Sequence, residues 1–376
     1  MSDLTLIILS AGNSSRFKAV TKKQWLRIGR DPLWLFVAKR FQNYTHFADT
    51  VITGSKEEIK YMKAFADFTF AQGGESRQES ILNALKFVKT PYVLISDHAR
   101  GCVPKEMVER IVEEKGKADC IVPYLKVSDT VVYEDETIDR DKVKLIQTPQ
   151  LSKTQILKKA LQDSKIVYTD ESSAIKSIGG KILYVEGSPK AHKLTYKSDI
   201  EKLSCLKAPS NDIFTGYGFD VHPFEESKKM YLCGVEIESD FGFKAHSDGD
   251  VAIHALIDSL LGAAGAGDIG ELFPDTDDRY KDIDSKILLK ESVRFIKNVG
   301  FEIINTDITI MAQKPRLLKY KERMRDSIAS LLNVDRSRVN IKATTTERLG
   351  FVGREEGVAV SAVSTLKFYQ WVEMGI

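Results

Sequence analysis

The chain has few cysteines, and no two of them lie close together. Its 376 residues contain only Cys102, Cys120, Cys205 and Cys233, and none of these forms a CxxC motif. Thiols scattered in this way favour reduced cysteines in a cytoplasmic protein over a disulfide framework. We therefore expect a cytoplasmic protein without structural disulfide bonds.

The chain also lacks an excess of charge of one sign. Its 55 lysine and arginine residues against 53 aspartate and glutamate residues give a formal net charge of +2, without a basic arm or tail. This balance gives no indication of a nucleic-acid partner. The apolar opening segment at residues 4–9 is too short to span a bilayer, and it has no basic region before it, as a signal peptide would. We therefore expect neither a nucleic acid nor a membrane as partner.

What the chain does contain is enough apolar sequence for two cores. Hydrophobic residues make up 43% and charged residues 29%, which is typical of a globular protein. A length of 376 residues exceeds the usual size of one domain. A short polar break at residues 208–212 follows a helical stretch at residues 198–207. The sequence thus predicts one domain over residues 1–207 and a second over residues 208–376.

Strands and helices alternate along the first domain. Short apolar runs at Leu4–Leu9, Thr50–Thr53, Tyr92–Ile95 and Cys120–Pro123 are typical of buried strands. A helical pattern covers Arg77–Val88. Alternation of this kind predicts an α/β fold with a doubly wound parallel sheet.

The second domain has a different order of elements. Helices are predicted from about Asp248, over Ser285–Val299 and over Leu318–Leu332. Beyond a first strand near Asp220, strands are predicted over Asn305–Ala312, Arg338–Ala343 and Gly357–Lys367. This order indicates an α+β domain with a mixed or antiparallel sheet.

Three polar residues of the second domain form a candidate zinc site. Asp220 and His222 stand two positions apart on a strand, so both side chains leave the same face. His254 lies in the helical pattern that follows, and the three residues together leave a fourth ligand position open, as a catalytic zinc requires. Each half alone is common without a metal, because Asp-x-His pairs are frequent and a helical histidine is usually a core or surface residue.

A loop rich in small residues follows the first strand. Gly12 lets backbone N–H groups approach a phosphate, and Arg16 and Lys23 can neutralise its charge. Doubly wound folds bind nucleotides in such loops at the carboxyl ends of parallel strands. An ordinary turn with solvated basic residues explains this segment equally well when it is taken alone.

Further motifs give the first domain a family resemblance. They are, in order, Leu9–Phe17, Lys22–Leu26, Gln72–Ser80, Asp97–Arg100, Asp139–Arg140, Gln147–Gln150, Thr169–Glu171, Val185–Gly187 and Lys193–Thr195. In this order they resemble the small-residue loop, PKQ, GGxxRxxS, DAAR, TPQ, TDE and VEG…K-T segments of 2-C-methyl-D-erythritol 4-phosphate cytidylyltransferase. The resemblance implies that the domain transfers a cytidylyl group from CTP to the 4-phosphate of methylerythritol and releases diphosphate.

The resemblance also implies roles for single residues of this domain. Arg16 and Lys23 would stabilise charge at the α-phosphorus of CTP, whereas Arg140 and Lys193 would hold the methylerythritol phosphate. Further substrate contacts would come from Gly12, Gly74, Ser80, Asp97 and Thr148, with Mg²⁺ or Mn²⁺ near Asp97. Because a phosphate monoester is already an anionic nucleophile, such a reaction needs cations and positioning more than a general base.

The first domain departs from the family pattern at several positions. Ser10 replaces an alanine of the loop, Lys22 replaces the proline of PKQ, and His98 stands where a small residue is expected. These changes bear on nucleotide affinity more than on the type of reaction, since the cations all remain. The alternative is an active second domain joined to a catalytically silent or re-purposed nucleotide-binding domain, for example one that uses another sugar phosphate.

Motifs spread over the second domain also form a family pattern. They are Gly216–His222, His246–Asp250 with His254, Gly267–Gly270, Leu272–Asp277, Ala343–Glu347 and Gly350–Arg354. They resemble 2-C-methyl-D-erythritol 2,4-cyclodiphosphate synthase. This resemblance implies an intramolecular reaction, in which the 2-phosphate of 4-diphosphocytidyl-2-C-methyl-D-erythritol 2-phosphate attacks the β-phosphorus and CMP leaves. Both halves together imply a bifunctional enzyme of the non-mevalonate isoprenoid pathway.

The second resemblance implies a site with two cations. Asp220, His222 and His254 would hold Zn²⁺, and Glu347 would hold Mg²⁺ or Mn²⁺. His246 and Thr345 would hold and polarise the reacting phosphates. Further contacts to the substrate or the trimer axis would come from Ser247, Asp268, Gly270, Phe273, Pro274, Asp275, Thr276, Asp277, Thr344, Thr346, Phe351 and Arg354.

Both resemblances imply self-association. The cyclodiphosphate synthase family implies a homotrimer with active sites between subunits, and the cytidylyltransferase family tends to dimerise. One chain that satisfies both symmetries is expected to form a hexamer. A separate kinase must act between the two reactions, and a contact with that kinase is a further hypothesis.

Overall fold

The computed structural model describes residues 2–162, 166–245, 247–274, 278–280 and 283–373. These residues divide into two compact units after Pro209, and residues 371–373 pack in the first unit. No helix in these ranges combines the length and the apolar character that crossing a bilayer requires.

The first unit contains the predicted strands and helices together with several shorter elements. Its strands are β1 (Leu4–Leu9), β2 (Arg27–Ile28), β3 (Asp31–Pro32), β4 (Asp49–Gly54), β5 (Thr69–Gln72), β6 (Tyr92–Asp97), β7 (Cys120–Lys126), β8 (Val131–Tyr133), β9 (Glu136–Ile138), β10 (Lys144–Ile146), β11 (Gln150–Lys153) and β12 (Ile182–Glu186). Its helices are α1 (Leu33–Gln42), α2 (Lys56–Met62), α3 (Arg77–Leu85), α4 (Lys105–Glu113), α5 (Thr154–Gln162) and α6 (Glu171–Ser177). The helical stretch predicted at residues 198–207 is a 3-10 helix over Lys197–Lys202.

The main sheet of this unit has the strand order β10-β7-β11-β6-β1-β4-β5, with β12 beside β7. Strand β1 pairs in parallel with β4 and β6, which places Leu9 opposite Asp97 at the carboxyl end. The predicted α/β class is confirmed. The sheet is nevertheless mixed, because β11 runs antiparallel to both β6 and β7. Strand β11 is short and partly polar in sequence, so it contains no apolar run from which a strand could be predicted.

Strand β1 is covered on both faces. Ile7 and Leu9 pack in one buried cluster with Ile81 of α3. Leu6 and Ile8 are also buried and, by the alternation of a strand, project to the opposite face. A strand buried on both sides has a continuous apolar sequence, and each such side chain contributes about 2 kcal/mol to stability. The core therefore fixes β1 and the loop that follows it.

Two of the cysteines are joined in a disulfide, which contradicts the expectation of reduced thiols. Cys102 follows β6 and Cys205 lies near the end of the unit, 103 positions later, yet their Cα atoms are 5.7 Å apart. Cys120 and Cys233 are free and buried. The sequence-based expectation used spacing along the chain, whereas folding brings together two segments that are distant in sequence.

The main sheet of the second unit has five strands in the order β16-β13-β19-β17-β18. Its strands are β13 (Ile213–Glu226), β14 (Met230–Leu232), β15 (Val235–Ile237), β16 (Phe241–Phe243), β17 (Phe301–Met311), β18 (Val339–Thr344) and β19 (Gly357–Phe368). Its helices are α7 (Val251–Ala264), α8 (Ile269–Leu272), α9 (Ser285–Asn298), α10 (Lys321–Leu332) and α11 (Gly350–Gly353). Strand β17 pairs in parallel with β18 and antiparallel with β19, so the sheet is mixed, as one of the two predicted alternatives.

Helix α7 lies directly on strand β13. A Cβ atom built on Gly218 would stand 2.0 Å from the carbonyl oxygen of Ala255, and one on Gly216 would stand 2.1 Å from that of Ser259. Only glycine allows the strand and the helix to approach so closely. This contact positions the helix that carries His254 against the strand that carries Asp220 and His222.

Candidate functional sites

The small-residue loop of the first unit is anchored to the neighbouring strand. Ser10 donates from its backbone N–H to Oγ1 of Thr53 (2.9 Å) and from its hydroxyl to the Thr53 carbonyl (2.6 Å). The serine that replaces an alanine of the family pattern is thus used inside the fold. Gly73 faces this loop, and a Cβ there would lie 2.2 Å from Cβ of Ala11. The loops after β1 and β5 therefore pack against one another and frame an opening.

A cavity of about 330 Å³ lies at this edge of the sheet. It brings together most of the residues that the sequence assigned to the nucleotide. Among those that line it are Gly12, Arg16, Lys23, Gly74, Ser80, Asp97 and Lys193. The backbone N–H of Gly74 donates to the Ser80 hydroxyl at 3.0 Å, so these two predicted residues also contact each other.

The lysines of this cavity are held at their ammonium groups. Lys23 Nζ donates to the carbonyl of Leu194 at 2.9 Å, and Lys193 Nζ donates to Oδ2 of Asp97 at 2.7 Å. Burial, and then the positive charges of Lys193 and Arg16, lowers the pKa of Lys23 to about 8. An anion in the cavity would reduce the repulsion among these three positive charges, so the cluster is suited to binding a polyphosphate.

Asp97 lies at the centre of this charge cluster. Besides Lys193, Nε of Arg77 lies 3.6 Å from Oδ1 of Asp97. Burial alone would raise the pKa of Asp97, but the charges of Arg77 and Lys193 outweigh it and hold that pKa well below its usual range. Arg77 in turn donates to Glu171 at 2.9 Å. Sequence reasoning gave Arg77 no role, although it is the arginine of the GGxxRxxS segment.

A second cavity, of about 260 Å³, adjoins the first. Arg77, Asp97 and Lys193 line both cavities, and Thr148 lines only the second. Thr148 accepts a hydrogen bond from Nε of Arg100 at 2.8 Å. Arg100 is another cation that sequence reasoning left without a role, and its signal was its place at the end of the Asp97–Arg100 segment. Two joined cavities suit a nucleotide and a separate phosphate-bearing acceptor.

The structure does not bring Arg140 to either cavity. It lies in a 3-10 helix, Arg140–Lys142, beyond the hairpin of β8 and β9, and its side chain is exposed. Its Nη1 donates to the carbonyl of Ser128 at 2.5 Å. The hairpin was not predicted, because its strands are short and exposed. Arg140 and Lys193 were both predicted to hold the phosphate of the acceptor. Within one chain, Lys193 lies at the cavities and Arg140 does not.

His98 also lines the first cavity. Its Nδ1 lies 2.8 Å from the carbonyl oxygen of Leu9, which can only accept, so Nδ1 carries the hydrogen. Its Nε2 is buried and has no hydrogen-bond partner among the described residues. Burial lowers the pKa of His98 to about 4. The imidazole is therefore neutral at physiological pH.

In the second unit, Asp220, His222 and His254 converge as a metal site would require. Their ligand atoms all lie within 4.8 Å of one another. Oδ2 of Asp220 is 3.1 Å from Nε2 of His222 and 3.2 Å from Nδ1 of His254. Burial would raise the pKa of Asp220, but hydrogen bonds from His222 and His254 hold that pKa well below its usual range.

Other polar groups fix the orientation of the two imidazoles. Nδ1 of His222 donates to the carbonyl of Gly249 at 2.9 Å, which leaves Nε2 available to a metal. Nε2 of His254 lies 3.1 Å from the Ser285 hydroxyl and 3.2 Å from that of Ser247. Ser285 donates onward to Asp248 at 2.5 Å. Asp248 and Ser285 had no predicted role, although Asp248 belongs to the His246–Asp250 motif.

This donor set fits zinc. Two neutral imidazoles and one carboxylate are zinc ligands, and their ring nitrogens are oriented by second partners as in known zinc sites. The ligands come from one strand and one helix, which is the arrangement that the sequence predicts. Four residues assigned to the same reaction, His246, Asp275, Thr276 and Asp277, lie outside the described ranges.

The other residues predicted to contact the substrate of the second domain differ in their burial and in their partners. Asp268 caps helix α8 by accepting from the Glu271 N–H at 2.8 Å, and Gly270 follows within that helix. Phe273 is buried and contacts the ring of Tyr280, whereas Pro274 is exposed.

The segment Thr344–Glu347 does not join the triad. Within the described ranges, the metal-ligand group consists of Asp220, His222 and His254 without Glu347. Thr344 is exposed, Thr346 is half-buried, and Thr345 donates to Oε1 of Glu347 at 3.0 Å. Among the described residues, no group of metal ligands therefore forms around Glu347.

Two further predicted residues lie close to one another in sequence but contact different partners. Phe351 lies in α11 and is partly exposed. Arg354 is exposed and donates from Nε to Glu356 at 2.8 Å. Neither residue belongs to the metal-ligand group.

Comparison with known proteins gives matches to both halves of the chain. Residues 4–205 match the family model of 2-C-methyl-D-erythritol 4-phosphate cytidylyltransferase, and residues 213–367 match that of the YgbB family. The bifunctional enzyme IspD/IspF of Aliarcobacter butzleri is 59% identical over 372 residues, covering 99% of each chain. That of Nitratiruptor is 56% identical over 374 residues, covering all of both chains.

A solved structure matches the whole chain as well. It is described as the bifunctional IspDF from Campylobacter jejuni and is 49% identical, with a TM-score of 0.89. The match covers 99% of this chain and 100% of that one.

Proposed function

The chain belongs to the family of bifunctional IspD/IspF enzymes, and from this premise we propose how its residues carry out the two reactions. The first half transfers a cytidylyl group from CTP to 2-C-methyl-D-erythritol 4-phosphate. The second half forms 2-C-methyl-D-erythritol 2,4-cyclodiphosphate and releases CMP. Both reactions belong to the methylerythritol phosphate pathway of isoprenoid synthesis. We assign them to residues 1–207 and 208–376, and the break in packing after Pro209 supports this division.

In the first half, one observation carries the assignment: Arg77, Asp97 and Lys193 line two adjoining cavities. The larger cavity takes CTP, with Lys23 and Arg16 at its phosphates. The smaller one takes the acceptor, whose phosphate contacts Lys193. These cations offset the repulsion between the anionic nucleophile and the triphosphate, which is the main barrier to attack at the α-phosphorus. Mg²⁺, when bound with the nucleotide, supplies additional positive charge at the phosphates.

The first test is diphosphate release from CTP by the full chain with Mg²⁺ and methylerythritol 4-phosphate. Lys23→Ala should lower this rate by about 100-fold or more, because a positioned cation at the developing charge is lost. Lys117→Ala, an exposed lysine paired with Glu114, is the matched control. Tryptophan fluorescence checks that the first unit of each variant is folded, because all three tryptophans lie in that unit, and CMP release from the cyclase substrate is measured beside it. A near-normal rate for Lys23→Ala would contradict the assignment, and CMP release without any diphosphate release would indicate a silent first half.

In the second half, we propose that Asp220, His222 and His254 bind Zn²⁺. The support is the convergence of their ligand atoms within 4.8 Å and the Gly249 carbonyl that directs Nε2 of His222. Zinc supplies Lewis-acid polarisation of a phosphate oxygen when it is bound. The protein contributes orientation: ring closure within one bound substrate depends on holding the 2-phosphate against the β-phosphorus.

Metal analysis tests this ligand set directly. The wild-type chain should bind one zinc ion per cyclase site, and His222→Ala should lose it because two ligands do not form a tetrahedral site. His46→Ala is the matched control, since this histidine is exposed and lies in the first unit. Stoichiometric zinc in purified His222→Ala, measured by atomic emission, would contradict the proposed ligands.

We further propose that the second unit associates into a trimer. One face of β13 carries exposed Ile213, Tyr217 and Phe219, of which Tyr217 is 63% and Phe219 50% exposed. Val363 of β19 lies opposite Tyr217 and is exposed too. An apolar sheet face of this kind favours burial against other copies, and a neighbouring subunit is a source of further ligands for a cation at Glu347. Association of the first units as well would give a hexamer.

The mass of the full chain in solution tests this assembly. Light scattering should give a multiple of three chains, and Phe219→Lys should lower the mass and abolish CMP release. A monomeric mass for the active wild-type protein would overturn the proposal.

A further inference from the structure

The disulfide Cys102–Cys205 lies beside a cavity that neither reaction uses. This cavity has a volume of about 350 Å³, and both cysteines line it. Its lining shares no residue with the two substrate cavities of the described structure. A small molecule can therefore reach the disulfide through a cavity that is separate from both substrate cavities.

The walls of this cavity are strongly basic. Arg40, Lys105, Lys190 and Lys202 line it, and Glu106 is the one carboxylate in the lining. Four positive charges against one negative charge give an excess of three before outside partners are considered. Such a concave basic surface attracts small anions and raises their local concentration.

Neighbouring carboxylates reduce this charge only in part. Lys105 lies 3.2 Å from Glu109, and Lys202 reaches Asp199 only at 3.7 Å. Lys190 has no ion pair within the described residues. At least one full positive charge thus remains for an incoming anion, and the exposed pairs are weak.

The two sulfur atoms differ in their access. Cys102 is buried with 5% exposure, whereas Cys205 is half-buried. Because thiol–disulfide exchange requires a thiolate to reach one sulfur, attack occurs at Cys205 and Cys102 is the leaving group. The surrounding cations also favour the thiolate form of both attacking and leaving groups.

We propose that the Cys102–Cys205 disulfide is a redox site served by this cavity, and that its reductant is a small anionic thiol of the carboxylate-bearing type, such as glutathione. One thiolate attacks Sγ of Cys205, the disulfide bond breaks, and Cys102 leaves as a thiolate and takes up a proton. A second thiolate attacks the mixed disulfide, which releases the oxidised small disulfide and the Cys205 thiolate. Two thiols are oxidised and the protein disulfide gains two electrons.

The test compares thiols of different charge on the oxidised full-length protein. Mercaptopropionate, mercaptoethanol and cysteamine are supplied at equal thiolate concentration, and samples are quenched with an alkylating reagent. Mass spectrometry then counts alkyl groups on Cys102 and Cys205. The anionic thiol should react about tenfold faster than the neutral one at low salt, and the ratio should fall towards one in roughly 0.5 M salt.

Two substitutions separate the cavity from general surface charge. The double variant Lys190→Gln, Lys202→Gln should lose most of the preference for the anionic thiol, because its rate with mercaptopropionate falls much further than its rate with mercaptoethanol. Lys117→Gln removes one exposed lysine that does not line this cavity and should keep the preference. None of these residues belongs to either proposed active site, so both activities should persist in all variants.

Two outcomes would overturn the proposal. One is equal rates for the three thiols, which would show that the basic cavity does not select its reductant. The other is alkylation of Cys102 and Cys205 in protein that was oxidised in air and unfolded before any thiol was added, since the disulfide would then be absent.

Discussion

Lys193 donates from Nζ to Oδ2 of Asp97 at 2.7 Å, across 96 positions of the chain. The lysine lies after β12, and the aspartate ends β6, so the contact ties two distant segments at the junction of the substrate cavities. The ammonium group is thereby oriented before any substrate arrives. A preoriented cation loses less rotamer entropy when a phosphate binds.

Asp97→Asn should separate turnover from affinity in the transferase reaction. The amide retains the size but not the charge, so Lys193 and Arg77 lose their shared partner and the cavity becomes more positive. We expect kcat for diphosphate release to fall by about 100-fold or more, whereas KM for CTP does not rise. Steady-state kinetics with both substrates measure this split.

The cyclase reaction of the same chain is the internal control for Asp97→Asn. CMP release should remain at the wild-type rate, because Asp97 lies in the other unit. A rise of KM with unchanged kcat would mean that Asp97 contributes to binding and not to the orientation of Lys193.

Binding of CTP should take up protons near pH 8. The pKa of Lys23 lies at about 8 in the free protein because of burial and the neighbouring Lys193 and Arg16. A triphosphate favours the ammonium form, so up to about half a proton should be taken up per CTP at that pH. Calorimetry in two buffers of different ionisation enthalpy gives this number.

Lys23→Arg distinguishes this lysine from other titrating groups. Arginine keeps the positive charge but does not deprotonate at pH 8, so the proton uptake should disappear even where CTP still binds. Equal uptake by Lys23→Arg and wild type would assign the titration to another group.

Acid should destabilise the first unit through His98. Its pKa is about 4 in the folded protein against 6.5 for the ordinary side chain, so the unfolded chain binds a proton that the folded chain excludes. The stabilisation is therefore complete above pH 6.5 and is lost as the pH falls towards 4, with a total on the order of 3 kcal/mol. Urea unfolding at several pH values measures this dependence.

The tryptophans make that experiment specific. Trp25, Trp34 and Trp371 all lie in the first unit, so their fluorescence reports its unfolding. His98→Asn keeps an N–H donor for the Leu9 carbonyl and does not titrate. This variant should show a flatter pH dependence between 6.5 and 4, and an unchanged dependence would contradict the role of His98.

Gly218→Ala should disable the second unit and leave the first one active. The added methyl group would stand 2.0 Å from the carbonyl oxygen of Ala255, so α7 must move away from β13. Overpacking of this kind costs about 1–3 kcal/mol or more, and the movement separates His254 from Asp220 and His222. We expect loss of bound zinc and of CMP release, measured beside unchanged diphosphate release.

Gly262→Ala is the matched control on the same helix. Its Cβ would meet only the Tyr217 carbonyl, at 4.0 Å, and alanine favours a helix over glycine. It should retain zinc and activity. Equal zinc in both variants would show that the close approach at Gly218 is not needed for the metal site.

Local sequence patterns were sufficient to predict that Asp220, His222 and His254 come together. The spacing of Asp220 and His222 placed both side chains on one face of β13, and the helical pattern around His254 correctly predicted α7. These features depend on strand and helix periodicity alone. The glycines at positions 216 and 218 then decide how closely the helix approaches, a contact that only the three-dimensional structure reveals.

Contacts between segments that are distant in sequence could not be predicted from such local patterns. The disulfide joins positions 103 apart, and β11 inserts between β6 and β7 although its sequence is short and polar. Arg140 and Glu347 carried family roles, but Arg140 lines neither cavity, and Glu347 is not in the metal-ligand group of the described residues. Their roles depend on tertiary or quaternary placement, for which spacing along a single sequence contains no signal.

The two cavities of the first unit have a common wall of Arg77, Asp97 and Lys193. A nucleotide that draws Lys193 away from Asp97 changes the charge that the acceptor meets, and the acceptor changes the charge that the nucleotide meets. Linkage requires these two effects to be equal in free energy. The transferase should therefore show heterotropic coupling between its substrates, so that the apparent affinity for each depends on how far the other is saturating.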